Sequence, residues 1–245
     1  MLVTGGGDPR TLPGYAEGWF TVQEEGAQLV GLLGGARPGE RVADACAGHG
    51  NKTTLIASAV GDSGSVTAID IDQGKLDRIA PELGRLGLPV GRVVTAPIDL
   101  TVGTFRLEPL FDLVLVDAPC TGLGTIHRRP DLLLRVLPGD GKRLGLVQQA
   151  ILKRAAALVR PGGRLLYAVC SPLPEEAARV AEQFEGEHPG FERVQPETEP
   201  PLPSAEADGV VRIGPWLAPG TPSSPDVYQS ILWRSNRSGS PLNRT

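Results

Sequence analysis

The run FDLVLVD (111–117) constrains the fold more than any other stretch of the chain. It is nearly all apolar, too short for a helix, and lacks the polar–apolar alternation of a strand with one wet face. Such a run fits a strand buried on both faces, as in parallel sheets with helices above and below. GRLLYAVC (163–170) has the same character. Around these two runs strand and helix signals alternate. RVADA (41–45), SVTAID (65–70) and RVVTA (92–96) read as strands. QEEGAQLVGLL (23–33) reads as a helix weakened by glycine, and NKTTLIASAV (51–60) as a helix opening after a Gly-bearing loop. GKLDRIAPELGRLG (74–87) is expected to be a helix kinked at Pro81. A long helix from Gly141 to Val159 is expected to stop at RPGG (160–163). PEEAARVAEQFEGE (174–187) reads as one helix, with acidic residues in its first turn where the dipole favours them.

This order predicts an α/β, doubly wound, Rossmann-like domain with a mostly parallel sheet and helices on both faces. The tail differs. FERVQ (191–195), GVVRIG (209–214) and DVYQSILWR (226–234) look like strands. Two of them are expected to extend the sheet to seven strands, at least one antiparallel. The predicted organisation is an N-terminal extension over 1–22, loose through residue 14, a catalytic domain over 23–235, and a flexible tail over 236–245. Residues 197–208 and 216–226 read as Pro/Ser/Glu-rich loops.

Composition narrows the class. At 245 residues, 40% hydrophobic and 21% charged, the chain reads as soluble and globular. No run is apolar enough for a bilayer span, and MLVTGGGDPR lacks the apolar core of a signal peptide. Three widely spaced cysteines argue against a disulfide framework and for a reducing, cytoplasmic setting. Three scattered histidines without C-x-x-C argue against a zinc site. A net charge of −4 means that any nucleic-acid surface must be local.

In RVADACAGHGNKTTLIA (41–57) a strand enters a tight turn carrying Gly48 and Gly50, and a helix begins. Ligands bind beyond the carboxyl ends of such strands, and glycine lets backbone approach them. The next strand ends in Asp70, whose carboxylate can accept both ribose hydroxyls of an adenosine cofactor. The loop is neither G-x-G-x-x-G nor a P-loop, which favours S-adenosylmethionine, a cofactor with no pyrophosphate. Taken alone, Lys52 reads equally as a surface charge and Asp70 as a helix cap.

The two most apolar strands each deliver a thiol at the carboxyl end, Cys120 and Cys170. A free cysteine is often only a small buried hydrophobe. The neighbours tilt the balance. Asp117 stands three residues before Cys120 on a Pro-stiffened turn, and Cys170 precedes a helix expected to start near Pro174, where a helix N-terminus favours a thiolate. One chemistry uses all these groups. Cytosine C5 is too weak a nucleophile to attack a methyl sulfonium until a thiolate adds at C6. A carboxyl at N3 stabilises the charge that develops. A second thiol can assist release after the C5 proton leaves.

With these residues in view the chain resembles the Sun/Fmu (NOP2/Sun-type) family of RNA cytosine-C5 methyltransferases, above all the bacterial small-subunit rRNA members. The resemblance rests on DACAGHGNKTT (44–54; family DACAAPGGKTT), AIDIDQGKLDRI (68–79), DAPCTGLGTIHRRPD (117–131; family DAPCSGxGxxRRxPD) and YAVCSPLPEE (167–176; family YxTCSxxPEEN). It implies Cys170 as nucleophile, Cys120 as the releasing thiol and Asp117 at the cytosine edge and near the cofactor. It implies that Cys46, Ala47, Gly48, His49, Gly50, Asn51, Lys52 and Asp70 hold S-adenosylmethionine. Where the family meets the adenine side with Asp this chain has Pro97, and Asp99 is the nearest candidate. The family usually carries an RNA-binding module ahead of this domain, and about a dozen residues precede the match here. RNA recognition, of rRNA above all, is therefore expected from Arg128, Arg129 and Lys142 and from a separate RNA-binding partner. The altered loop Gly48-His49-Gly50-Asn51, with Val169 and Ala177 in place of family Thr and Asn, motivates a second reading: a degenerate relative that binds RNA or a ribosome-assembly partner without catalysis.

Overall fold

The structure, a computed structural model, describes residues 7–102, 111–197, 203, 205–214 and 226–236. In chain order the elements are α1 (Glu25–Leu33), β1 (Arg41–Asp44), α2 (Asn51–Val60), β2 (Ser65–Asp70), α3 (Gln73–Leu76), α4 (Ile79–Arg85), β3 (Val93–Pro97), β4 (Phe111–Asp117), α5 (Leu132–Arg135), α6 (Asp140–Leu158), β5 (Val159–Val169), α7 (Ala178–Glu187), β6 (Phe191–Arg193), β7 (Val211–Ile213) and β8 (Tyr228–Ser235). The strands form one sheet in the order β3-β2-β1-β4-β5-β8-β6. β1 to β5 are mutually parallel, and β8 runs antiparallel to β5. β6 and β7 share the outer edge of β8 end to end, pairing with Trp233–Ser235 and Tyr228–Ser230. All three tail strands thus join, and the sheet has eight strands rather than seven.

The apolar runs face both ways, as their lack of alternation implies. From β4, Val114 and Val116 pack with Ile151, Leu152 and Ala155 of α6 and Val180 and Phe184 of α7. Leu113 and Leu115 point to the opposite layer, with Val30 and Leu33 of α1 and Ile56 and Val60 of α2. β5 splits in the same way, Leu165, Tyr167 and Val169 to one layer and Leu166 and Ala168 to the other. A fully buried side chain of this size contributes about 1.5–3 kcal/mol. The central strands supply such residues to both layers, so loops at their carboxyl ends rest on the best-anchored part of the fold.

Several local expectations are corrected. The helix expected over 74–87 is two helices, broken at Asp77 and Arg78 rather than bent at Pro81. Proline donates no hydrogen bond and its ring clashes with the carbonyl four residues back, so Pro81 is accommodated in the first turn of a new helix. RPGG (160–163) does not separate α6 from β5. The strand begins at Val159, and the ladder shifts register between Phe111 and Leu113 of β4. The helix expected over 174–187 is a 3-10 turn, Pro174–Glu176, followed by α7, with the break at Ala177. Past the stretch expected to be loose, the N-terminal extension is held at Tyr15 and Phe20. Arg85 of α4 donates to the carbonyls of Tyr15 (2.5 Å) and Phe20 (3.1 Å), and its guanidinium lies 3.9 Å from the Tyr15 ring centroid. The expected loops and tail fall largely on 198–202, 215–225 and 237–245, outside the described residues. Among the described residues no helix is long and apolar enough to cross a membrane.

Candidate active site

The strand order reverses between β1 and β4, since β1 leads outward to β2 and β3 while β4 lies on its other side. In such sheets the crevice beyond the carboxyl ends at the reversal takes the ligand. The loops after β1, β4 and β5 and the end of β2 meet there, bringing Cys46–Lys52, Asp117–Cys120, Cys170 and Asp70 to one edge.

The loop after β1 has positive φ at Gly48 (+55°) and Gly50 (+86°). A side chain at Gly50 would strike Ile79 at 2.6 Å, whereas one at Gly48 would meet no protein atom. Both left-handed positions therefore carry glycine: Gly50 keeps the family residue, and Gly48 stands where the family has alanine. Asn51, where the family has glycine, is the first residue of α2 and takes an ordinary backbone. Asp70 accepts from the Gly48 amide (2.9 Å) and the Asp72 amide (2.9 Å). The cap of α3 is Asp72, not Asp70. Asp99, just past β3, is engaged by the amide (2.7 Å) and hydroxyl (2.6 Å) of its own neighbour Thr101. Cys46 packs against the core and also lines a cavity beside Asp44, and burial pushes its thiol well up.

Asp44, at the end of β1, escaped the sequence reading. It is 1% exposed, takes the Thr53 hydroxyl at 2.8 Å on Oδ2, and has no partner for Oδ1. Burial pushes its pKa up to about 6. It lines a cavity of about 190 Å³ with Ala47, Gly48, His49, Asn51, Lys52 and Asp117. An unpartnered buried carboxylate oxygen beside an open glycine turn suits a ligand carrying an ammonium group, as S-adenosylmethionine does.

Lys52 crosses from the loop to the catalytic side. Its Nζ lies 2.5 Å from Asp117 Oδ2 and 5.7 Å from the Tyr228 ring centroid. Burial works against the ammonium, but Asp117 outweighs it and the Lys52 pKa is raised. Cys120 Sγ and Cys170 Sγ are 3.3 Å apart, both thiols free. The pair is unequal. The hydrogen bond from Cys120 lowers the pKa of Cys170, burial and Asp117 oppose this, and Lys52 assists. The same bond, with burial, pushes Cys120 well up. The thiolate therefore belongs on Cys170 and the proton on Cys120. The expected helix N-terminus has no part in it, because α7 starts eight residues on, at Ala178.

Both cysteine turns are held by groups the sequence reading passed over. Glu176 is fully buried and accepts from the Thr121 amide (2.8 Å), the Thr121 hydroxyl (2.6 Å), the Ser171 hydroxyl (2.5 Å) and Gln148 Nε2 (3.2 Å). Its expected role as a dipole partner in a first helical turn is thereby corrected: the side chain turns inward, toward the thiols. Gly124 donates to the Cys170 carbonyl (3.0 Å) and accepts from the Val227 amide (3.0 Å). A side chain at Gly124 would come within 2.2 Å of the Val227 carbonyl oxygen, so only glycine fits.

A cavity of about 520 Å³ opens above the thiols, lined among others by Asp117, Cys120, Cys170, Arg128, Arg129 and Arg135. Of the expected RNA-binding residues, Arg129 reaches this rim half exposed. Arg128 does too, but its guanidinium is bound in a bidentate pair to buried Asp226. Lys142 lies apart, in a neighbouring groove lined by Leu132, Val136, Leu137 and Leu173. Arg135, four residues past the motif's Asp131 and paired with it at 3.2 Å, was not among the expected residues.

Comparison with known proteins gives the family. Residues 33–216 match the family model described as 16S rRNA methyltransferase RsmB/F. The chain belongs to this family. A relative named "Probable ribosomal RNA small subunit methyltransferase B" from Synechocystis is 42% identical over 178 residues, covering 72% of this chain and 40% of its own length. A protein of the same name from Bacillus subtilis is 38% identical over 178 residues, covering 73% and 40%. The crystal structure of PH0851 superposes with a TM-score of 0.82 at 31% identity, covering 94% of this chain and 50% of that one. The chain thus spans about 40% of the length of these curated RsmB/F relatives. The family is one of methyltransferases, and the chain shares its Rossmann-like fold with the PH0851 structure.

Proposed function

We propose that this domain transfers a methyl group to C5 of a cytosine in RNA, small-subunit rRNA being the class its relatives' names point to. The observation that carries the reading is the unequal thiol pair, 3.3 Å apart beside Asp117 and Lys52. Methylation of an exocyclic nitrogen or an oxygen needs no thiol, whereas activation of C5 does.

Asp44, the Gly48–Gly50 turn, Lys52 and Asp70 would hold S-adenosylmethionine, which when bound supplies an electrophilic methyl. The residues of the chain do the rest. A cytosine taken out of its stack enters the cavity over the thiols. Cys170 Sγ, kept anionic by the Cys120 thiol and Lys52, bonds to C6 and makes C5 nucleophilic. Asp117 meets the N3/N4 edge: the carboxylate oxygen that Lys52 leaves open accepts from the N4 amino group, and once protonated it donates to N3 as negative charge develops there. After C5 has accepted the methyl, a water molecule from the open cavity takes the C5 proton as base; the C5–H electron pair forms the C5=C6 bond as the Cys170–C6 bond breaks, and Cys170 is returned as a thiolate. Cys120 is the side chain placed to assist that release. Arg129 and Arg135 on the rim offer charge to the flanking phosphates.

The test is incubation of the protein with labelled S-adenosylmethionine and small-subunit rRNA, followed by mapping of 5-methylcytosine. Label at C5 of defined cytosines is the expected result. Label on an exocyclic amine, or cofactor-independent RNA binding without label, would replace the reading.

A further inference from the structure

Four donors from three separate segments converge on one buried carboxylate, and two of those segments carry the thiols. Thr121 follows Cys120 directly, and Ser171 follows Cys170 directly. Glu176 Oε1 takes the Thr121 amide and Gln148 Nε2, and Oε2 takes both the Thr121 and Ser171 hydroxyls. The hydroxyls themselves are 3.2 Å apart. Further bonds fix the carboxylate. Tyr167 donates to the Glu176 carbonyl (2.5 Å), and Gln148 Nε2 donates also to the Pro119 carbonyl (2.9 Å) in the turn before Cys120. Gly145 of α6 has room for no side chain against the Glu175 carbonyl, at 2.6 Å, so α6 presses this turn toward the cysteines.

We propose that Glu176 is a positioning residue that clamps the Cys120 and Cys170 turns together and so sets the 3.3 Å contact between the two sulfurs. This rests on the reading of Cys170 as nucleophile and adds how that state is built. β4 and β5 are paired through Asp117 and Ala168, so the ladder ends before either cysteine and does not fix the separation of the two turns. Glu176 spans the gap beyond the ladder. A buried carboxylate is retained where several donors hold it, and charge-assisted bonds of 2.5–2.8 Å are the stronger kind. Because it acts on both turns at once, its loss separates the thiols without removing either.

The experiment measures alkylation of Cys170 by iodoacetamide against pH, beside methyl transfer, in Glu176→Gln, Ser171→Ala and Thr121→Val, each also in a Cys120→Ala background. Iodoacetamide reads the thiolate fraction. With Cys120 present, each substitution is expected to lower the rate at pH 7 by about three- to tenfold. The half-point moves to higher pH and kcat falls while the KM for S-adenosylmethionine stays within about twofold. In the Cys120→Ala background the same substitutions are expected to change alkylation by less than about twofold, because the contact they regulate is gone. Unchanged alkylation in the single variants, or an equal fall without Cys120, would overturn the clamp. If Glu176→Gln does not fold, Ser171→Ala and Thr121→Val, which leave the carboxylate in place, decide the matter. If the wild-type protein methylates no cytosine, the proposed activity fails, and the alkylation series still judges the clamp.

Discussion

Lys52 Nζ sits 2.5 Å from Asp117 Oδ2, joining the loop after β1 to the turn after β4 in one ion pair beneath the thiols. The loop that faces the Asp44 cavity thereby contributes to the charge state of Cys170, since Lys52 also favours its thiolate. Lys52→Met is expected to lower methyl transfer at pH 7 by at least about tenfold and to move Cys170 alkylation to higher pH. It leaves Asp117 without its cation in a site where both side chains are largely covered, which costs about 1–3 kcal/mol of stability. Stopped-time alkylation and chemical denaturation check both. An alkylation curve that does not move would detach Lys52 from the thiol.

Asp44 ties stability to pH with a definite sign. Burial raises its pKa from 3.8 to about 6. The folded protein keeps this proton where the unfolded chain has lost it, so the group's contribution is full below about pH 4 and is lost as pH rises through about 6. Above that pH the buried charge costs up to about 3 kcal/mol. Asp44→Asn preserves an acceptor for the Thr53 hydroxyl and removes the charge. It is expected to stabilise the ligand-free protein at pH 8 by about 1–3 kcal/mol, by about half as much at pH 5, and to weaken S-adenosylmethionine binding. Thermal denaturation at the two pH values and calorimetry with the cofactor test this; a variant less stable at pH 8 would refute it.

Gly124 offers a steric test. Its backbone joins the Cys170 carbonyl to the Val227 amide, and a methyl group there would lie 2.2 Å from the Val227 oxygen and 2.9 Å from the Cys170 oxygen. Gly124→Ala is expected to push β8 away from the Cys170 turn, with activity reduced at least about tenfold and stability by about 1–3 kcal/mol. Gly84→Ala, at a site where a side chain meets nothing within 4 Å, is the control expected to leave both unchanged. Equal behaviour of the two variants would contradict the close approach.

Arg85 holds the N-terminal segment by two backbone carbonyls and the face of Tyr15. Arg85→Ala is expected to open residues 9–22 to limited proteolysis and to cost about 1–3 kcal/mol. Cleavage no faster than in the wild type would show that the segment is held elsewhere.

The fold was legible because its central strands are apolar on both faces, a pattern only a covered parallel sheet satisfies. The thiols were legible because both end such strands. What stayed hidden depends on side chains folding back over long sequence separations. The bond between Arg128 and Asp226 joins residues far apart in the chain, so Arg128 reads as a free charge in HRRPD. Glu176 reads as a helix-start acid because nothing local reports the break at Ala177, where φ is −125° and ψ is −86°. Asp44 reads only as the end of the strand RVADA, because its burial is set by Thr53 and the strands around it, not by its neighbours in sequence. The sharing of the β8 edge by β6 and β7 depends on register, which short tail strands specify weakly.

The central claim is that Cys170 bonds to the cytosine and Cys120 frees it. The direct measurement is denaturing electrophoresis of the protein with its rRNA substrate and S-adenosylmethionine, comparing Cys120→Ala with Cys170→Ala. The account predicts a covalent protein–RNA band that accumulates in Cys120→Ala and is absent from Cys170→Ala, which transfers no methyl group. A fully active Cys170→Ala protein, or a covalent band that survives loss of Cys170, would contradict it.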